Sequence, residues 1–117
     1  MQTLIMAYET ETDFKKRNDT SAFAAYMEPW RIYSAMLSEK GFLRSGAALE
    51  EPGTATVVSV RNGERIIEDG PFAQAKEQLG GYFIVETQST EEAVRLASAC
   101  PASSTGRVET YAIAELG

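Results

Sequence analysis

The chain has 117 residues, 44% hydrophobic and 24% charged, which is the balance of one soluble globular domain able to bury a core without disulfides or metals. Its net charge of −6, with Lys and Arg scattered, argues against a nucleic-acid surface, because phosphate binding needs clustered cations. Cys100 stands alone and histidine is absent, so an intrachain disulfide and any Ser-His-Asp or Cys-His arrangement within the chain are excluded, and no metal or cofactor is expected.

No apolar run approaches membrane-spanning length, and Met1-Gln2-Thr3 lacks the basic start of a signal peptide, so the expected location is the cytoplasm. Thr3 to Tyr8 reads as a strand with apolar residues on both faces. Glu9 to about Thr20 reads as a polar loop, with Lys15-Lys16-Arg17 as a solvated cluster. A helix follows from about Ser21 to Lys40, with Phe23, Met27, Trp30, Met36 and Leu37 at three- and four-residue spacing and Tyr26 and Tyr33 alongside. Asp19, Thr20 and Ser21 are candidate N-caps, and Gly41 suits the left-handed residue after the last turn. Pro29 implies either a kink or a later start near Glu28.

Phe42 to Leu49 is a second strand, Glu51-Pro52-Gly53 a turn, and Thr54 to Arg61 a third strand. Asn62-Gly63 is the turn signal of a hairpin, because both central positions of that turn take positive φ, and Glu64 to Glu68 returns as the partner strand. Asp69-Gly70-Pro71 is turn chemistry; Pro71 also suits the first residue of a short helix ending at Gly80. Gly81 to Thr87 is another strand. Ser89-Thr90-Glu91-Glu92 is a capping box that opens a second helix, ended by Pro101. Ala102 to Thr105 is a loop, and Val108 to Leu116 a last strand.

The order is β-α-β, an inserted hairpin, then β-α-β, which gives a ferredoxin-like α+β sandwich in a single domain. Two helices cover one face of such a sheet, yet Leu4 to Ala7 and Tyr82 to Val85 are apolar on both faces. The simplest cover for the second face is another copy of the chain, so a homodimer through sheet faces is expected.

The run from Asp69-Gly70-Pro71-Phe72 through Lys76-Glu77-Gln78-Leu79-Gly80-Gly81-Tyr82 to Glu86, with Thr54 to Arg61 before it, closely resembles the DGPF-domain proteins of the YCII-related family. The likeness extends to Met6-Ala7-Tyr8, Gly41-Phe42-Leu43 and Gly106-Arg107-Val108-Glu109. It implies a dimeric α/β barrel built on the ferredoxin-like unit, in a bacterial protein, and by family analogy a link to an extracytoplasmic-function sigma factor. The broader group resembles muconolactone isomerases and dehalogenating lyases with a His-Asp pair. Here there is no histidine, and Cys100-Pro101 stands where that group carries Asp-Pro, so neither member of the pair carries over.

Asp69 is the leading candidate for chemistry, as a general base or ligand anchor, against a plain turn-capping role. Lys76 is a candidate positive charge beside it, against a solvated surface lysine. Tyr8, Gly70, Phe72 and Tyr82 are candidate ligand contacts, with Phe72 also read as a core anchor and Gly70 as a conformational residue. Tyr8, Tyr33, Tyr82 and Tyr111 either line a cavity between sheets or pack at an interface. Gly80-Gly81 permits close approach, most simply at a dimer contact. Trp30 reads as helix-face core and Cys100 as a small buried residue. Two functions stand: a dimeric small-molecule-binding or regulatory module, and a cofactor-independent lyase or isomerase on a small acidic substrate with Asp69 as base and Lys76 stabilising negative charge.

Overall fold

The computed structural model describes Met1–Gly117. Strand β1 (Gln2–Thr10) leads into a short helix α1 (Glu11–Arg17) and then the long helix α2 (Phe23–Glu39). Strand β2 (Leu43–Ala48) and a single 3-10 turn (Pro52–Thr54) precede the hairpin β3 (Thr56–Arg61) and β4 (Glu64–Asp69). Strand β5 (Glu77–Glu86), helices α3 (Thr90–Ala99) and α4 (Ala102–Thr105) and strand β6 (Arg107–Ala112) complete the chain. The main sheet has the order β2-β5-β1-β6 with antiparallel pairing throughout, and β3 and β4 form a separate two-stranded sheet. This is the ferredoxin-like α+β sandwich with an inserted hairpin, the unit from which dimeric α/β barrels are built. No helix is long and apolar enough to cross a membrane.

Strand β1 sets the layers. Thr3, Ile5, Ala7 and Glu9 point to the helix side and are buried, while Leu4, Met6, Tyr8 and Thr10 on the other face are half-buried. Ile5, Ala7 and Val85 of the sheet meet Tyr33 and Leu37 of α2 and Leu96 of α3, with Cys100 and Ala102 closing the core. Phe83 packs edge-on against Tyr33 at 5.3 Å between ring centroids and stacks against Trp30 at 6.4 Å. The Tyr33 hydroxyl donates to the Leu96 carbonyl at 2.7 Å, tying α2 to α3.

The Asn62-Gly63 and Gly41 signals take their expected forms, whereas α2 starts after Ala22 without the side-chain cap expected of Asp19, Thr20 or Ser21. Asn62 and Gly63 both have positive φ (51° and 76°), and so does Gly41 (79°) after α2. The Ser89 hydroxyl accepts from the Glu92 N–H at 3.1 Å, but the Glu92 carboxylate reaches the N–H of Gln88 at 3.0 Å, one residue outside the box. Helix α2 runs unbroken through Pro29; Pro29 and Ala25 are both exposed, so the carbonyl that loses its N–H partner can turn to water.

Three stretches differ from the sequence reading. The expected polar loop from Glu9 onward is the end of β1 followed by α1. Its start is a capping box with aspartate in the usual glutamate place: Asp13 N–H donates to Thr10 Oγ1 at 3.1 Å, and Thr10 N–H to Asp13 Oδ2 at 3.2 Å. The stretch after Pro71 forms no helix, and β5 begins at Glu77 rather than Gly81, because Glu77, Gln78 and Leu79 pair with Thr10, Glu9 and Tyr8. Ala102–Thr105 is a helical turn, and the last strand ends at Ala112.

Candidate functional site

The helix-facing row of β1 ends in a charge. After Thr3, Ile5 and Ala7, the position that alternation would fill with another small or apolar side chain is Glu9, whose side chain is only 3% exposed. A buried carboxylate is costly unless paired and hydrogen-bonded. Arg17 at the end of α1 supplies the pairing at 3.3 Å, and the Tyr26 hydroxyl, from the first turn of α2, donates a hydrogen bond to Glu9.

Arg17 is itself held from several sides. It donates to the carbonyls of Gly80, at 3.2 Å, and Leu49, and its guanidinium lies 5.1 Å from the centre of the Phe14 ring. Helix α1 is anchored in turn by Asp13, whose carboxylate also accepts from Thr105 of α4 at 2.8 Å. The sequence places Arg17 in a solvated cluster, and the structure does not. Folding of residues 11–17 into a helix turns Lys15 and Lys16 outward and sends Arg17 inward, 13% exposed, onto Glu9.

Gly80 makes the remaining room. It sits at the irregularity where β5 shifts register against β1, and a Cβ there would lie 2.6 Å from Cδ of Glu9. The expected use of this glycine at a dimer contact gives way to an internal one: the space is filled by the Glu9 carboxylate. Gly81 likewise lets β2 approach, since a Cβ would meet the Ala47 carbonyl at 2.9 Å.

This cluster lines an open cavity of about 490 Å³ between α2 and the β2–β5 side of the sheet. Met27, Trp30, Leu43 and Phe83 make its apolar walls, and Glu9, Arg17, Arg31 and Ser34 its polar points. Burial raises Glu9 above its ordinary value, more than the Tyr26 hydroxyl and Arg17 lower it. Burial, then the hydrogen bond to Glu9, raises Tyr26 far above the usual phenol range. A carboxylate with two partners keeps acceptor capacity for a third donor. The site can therefore accept a hydroxyl or a proton from a small molecule held against the Trp30–Phe83 wall. No three His, Cys, Asp or Glu side chains gather as a metal site would require.

The residues singled out from sequence fall elsewhere. Asp69 ends β4, exposed, with no side-chain hydrogen bond or ion pair, and lines neither this cavity nor the second groove. Lys76 is exposed and lines that groove, of about 520 Å³, together with Pro71, Gln74, Glu11, Asn18 and Pro52. Phe72, read as a core anchor, is 86% exposed, because the irregular segment after β4 has no layer packed over it. Gly70 is confined instead: a Cβ would lie 2.7 Å from Val57 Cγ2, and its N–H donates to the Ala55 carbonyl at 2.8 Å, closing the base of the hairpin. Tyr8 and Tyr82 lie on the open face of the sheet, with Tyr111 opposite Leu4 on the same face, while Tyr33 is in the core. Burial, then the neighbouring Glu109, pushes the Tyr8 phenol up to about 12. The structure brings none of the six candidates into the cavity under α2. Sequence reasoning missed Glu9, although a charged residue closing the row Thr3, Ile5, Ala7 was the signal for it.

A family model described as YCII-related domain matches residues 1–117. The chain belongs to the YCII-related domain family. Among curated proteins, an uncharacterized protein of Rhizobium meliloti (strain 1021) is 39% identical over 59 residues, 50% of this chain and 48% of the relative, so the match spans about half of that relative's length. Among solved structures, the 5-chloro-2-hydroxyhydroquinone dehydrochlorinase of Burkholderia phenoliruptrix AC1100, in complex with 2,5-dihydroxybenzoquinone, aligns over 97% of this chain and 94% of its own, with a TM-score of 0.53 and 14% identity. At that identity the likeness is one of fold.

Proposed function

We propose that this YCII-related protein binds a small planar organic molecule in the cavity under α2, with Glu9 accepting a hydrogen bond from a ligand hydroxyl. The observation that carries this reading is the buried Glu9–Arg17–Tyr26 cluster opening onto an apolar cavity of ligand size. Trp30 and Phe83 offer flat apolar surface, and Arg31 and Ser34 offer donors for a ligand oxygen.

A second reading is a cofactor-independent lyase or isomerase. It is favoured by the fold neighbour, a dehydrochlorinase solved with a dihydroxylated quinone. In this reading the base is Glu9, the carboxylate that lines the cavity, rather than the exposed Asp69. A homodimer through the open sheet face belongs to both readings, supported by the unpartnered row Leu4, Met6, Tyr82 and Ile84.

Thermal unfolding and calorimetry with 2,5-dihydroxybenzoquinone and related small hydroxylated aromatics as probes test the proposal. A saturable stabilisation that weakens about tenfold in affinity in Glu9→Gln and in Trp30→Ala is expected, being the size of one lost ligand contact. Absence of stabilisation by the whole probe set counts against it. Turnover of a bound probe that is lost in Glu9→Gln while binding survives selects the lyase reading.

A further inference from the structure

The β3–β4 hairpin is the least explained part of the molecule. Its strands pair with each other and with no third strand, and β4 is exposed at all six positions. On one of its faces the pair Val58 and Ile67 lies beside Val60, and these three are 59%, 56% and 59% exposed. Large apolar side chains held in water on a two-stranded ribbon are a poor solution for an isolated chain, since such hairpins are marginal without a third partner.

The size of the molecule makes the same point quantitatively. Its accessible surface is 7896 Å², about 1,600 Å² more than a compact monomer of its mass exposes. The radius of gyration is 15.9 Å and the extents 48 × 47 × 19 Å, against about 13 Å for a compact chain of this length. Two copies that each hid such an excess would bury an area in the range of obligate dimers.

We infer that the β3–β4 hairpin is an arm that clasps a second copy of this chain, burying the Val58, Val60 and Ile67 face against it. A second copy is the occupant that fits, because the molecule carries two unpartnered apolar surfaces, this ribbon and the open sheet face of Leu4, Met6, Tyr82 and Ile84, and a two-fold pairing covers both at once. The ribbon's charges are mixed, Arg61 and Arg65 beside Glu64, Glu68 and Asp69, so little of the chain's net charge of −6 lies on the arm and repulsion on approach is weak. The inference extends the homodimer proposed above and is separable from it, since the arm and the sheet face are distinct surfaces.

Sedimentation equilibrium of the full chain tests it, comparing wild type with Val58→Asp/Ile67→Asp and with Ile84→Asp on the sheet face. The wild type is expected to dimerise at micromolar concentration, and the arm variant to dissociate at least about a hundredfold more readily, as expected for charges placed in an apolar contact. A monomeric wild type overturns both the dimer and the arm. A dimer broken by Ile84→Asp but untouched by the arm variant overturns the arm alone. Amide exchange over residues 56–69 of the wild type gives a readout independent of any variant's folding. Protection that falls as the dimer is diluted apart supports the arm, and concentration-independent exchange overturns it.

Discussion

Gly80 and Glu9 occupy one volume: a Cβ on residue 80 would lie 2.6 Å from the carboxyl carbon of Glu9. The glycine is thus part of the site without presenting any group of its own. Its φ is not in the left-handed region, so alanine at this position meets no backbone strain, only the Glu9 carboxylate.

Gly80→Ala is therefore expected to destabilise the fold by about 1–3 kcal/mol through overpacking. Most of that cost should vanish when Glu9→Ala is made in the same chain. A double-mutant cycle by urea denaturation measures the coupling, and additive effects would mean that the two residues do not share the space.

Glu9 also makes stability depend on pH. Because burial raises it above its ordinary value of 4.5, the folded state holds its proton more tightly than the unfolded state. Its contribution is fully present below the unfolded value and is lost as pH rises through the folded one. Glu9→Gln removes the ionisation, so the stability difference between variant and wild type should move in the variant's favour as pH rises from 4.5 upward. Denaturation curves at a series of pH values above 4.5 check the sign; a trend the other way would show that Arg17 and Tyr26 outweigh burial.

Cys100 is 1% exposed, and burial pushes its thiol up to about 11. A thiol both hidden and protonated is inert. An aromatic disulfide reagent at about pH 8 should leave the folded chain unmodified and label the chain once in strong denaturant. Rapid labelling under native conditions would place Cys100 at a surface or in a segment that opens readily.

Asp69 stands exposed and without a side-chain partner. Asp69→Asn should leave stability within about 0.5 kcal/mol of wild type, as for other surface changes, and leave probe binding in the cavity under α2 unchanged. Loss of binding measured by calorimetry would return Asp69 to the site.

Local chemistry was readable from the amino-acid order because it depends on neighbours in the chain. Asn62-Gly63 dictates its own turn, Ser89 caps its own helix, and the alternation from Thr3 to Glu9 allots side chains to two faces. Those signals, with the run from Asp69 to Glu86, were enough for the ferredoxin-like architecture and the family. The same density of turn residues drew the site to Asp69, Lys76 and Phe72, where the folded chain has open surface.

The site depends on residues that sequence keeps apart. Glu9 comes from β1, Arg17 from α1, Tyr26 from α2 and Gly80 from β5, and only the pairing of β1 with β5 and the packing of both helices over it bring them together. A buried charge is tolerated there because three separate elements supply its donors and its space, a condition that no local pattern records. The amino-acid order by itself determined the layers, the turns and the family, since each rests on local periodicity and motif. Tertiary structure decided which carboxylate is buried and paired, because burial and pairing are properties of the assembled layers.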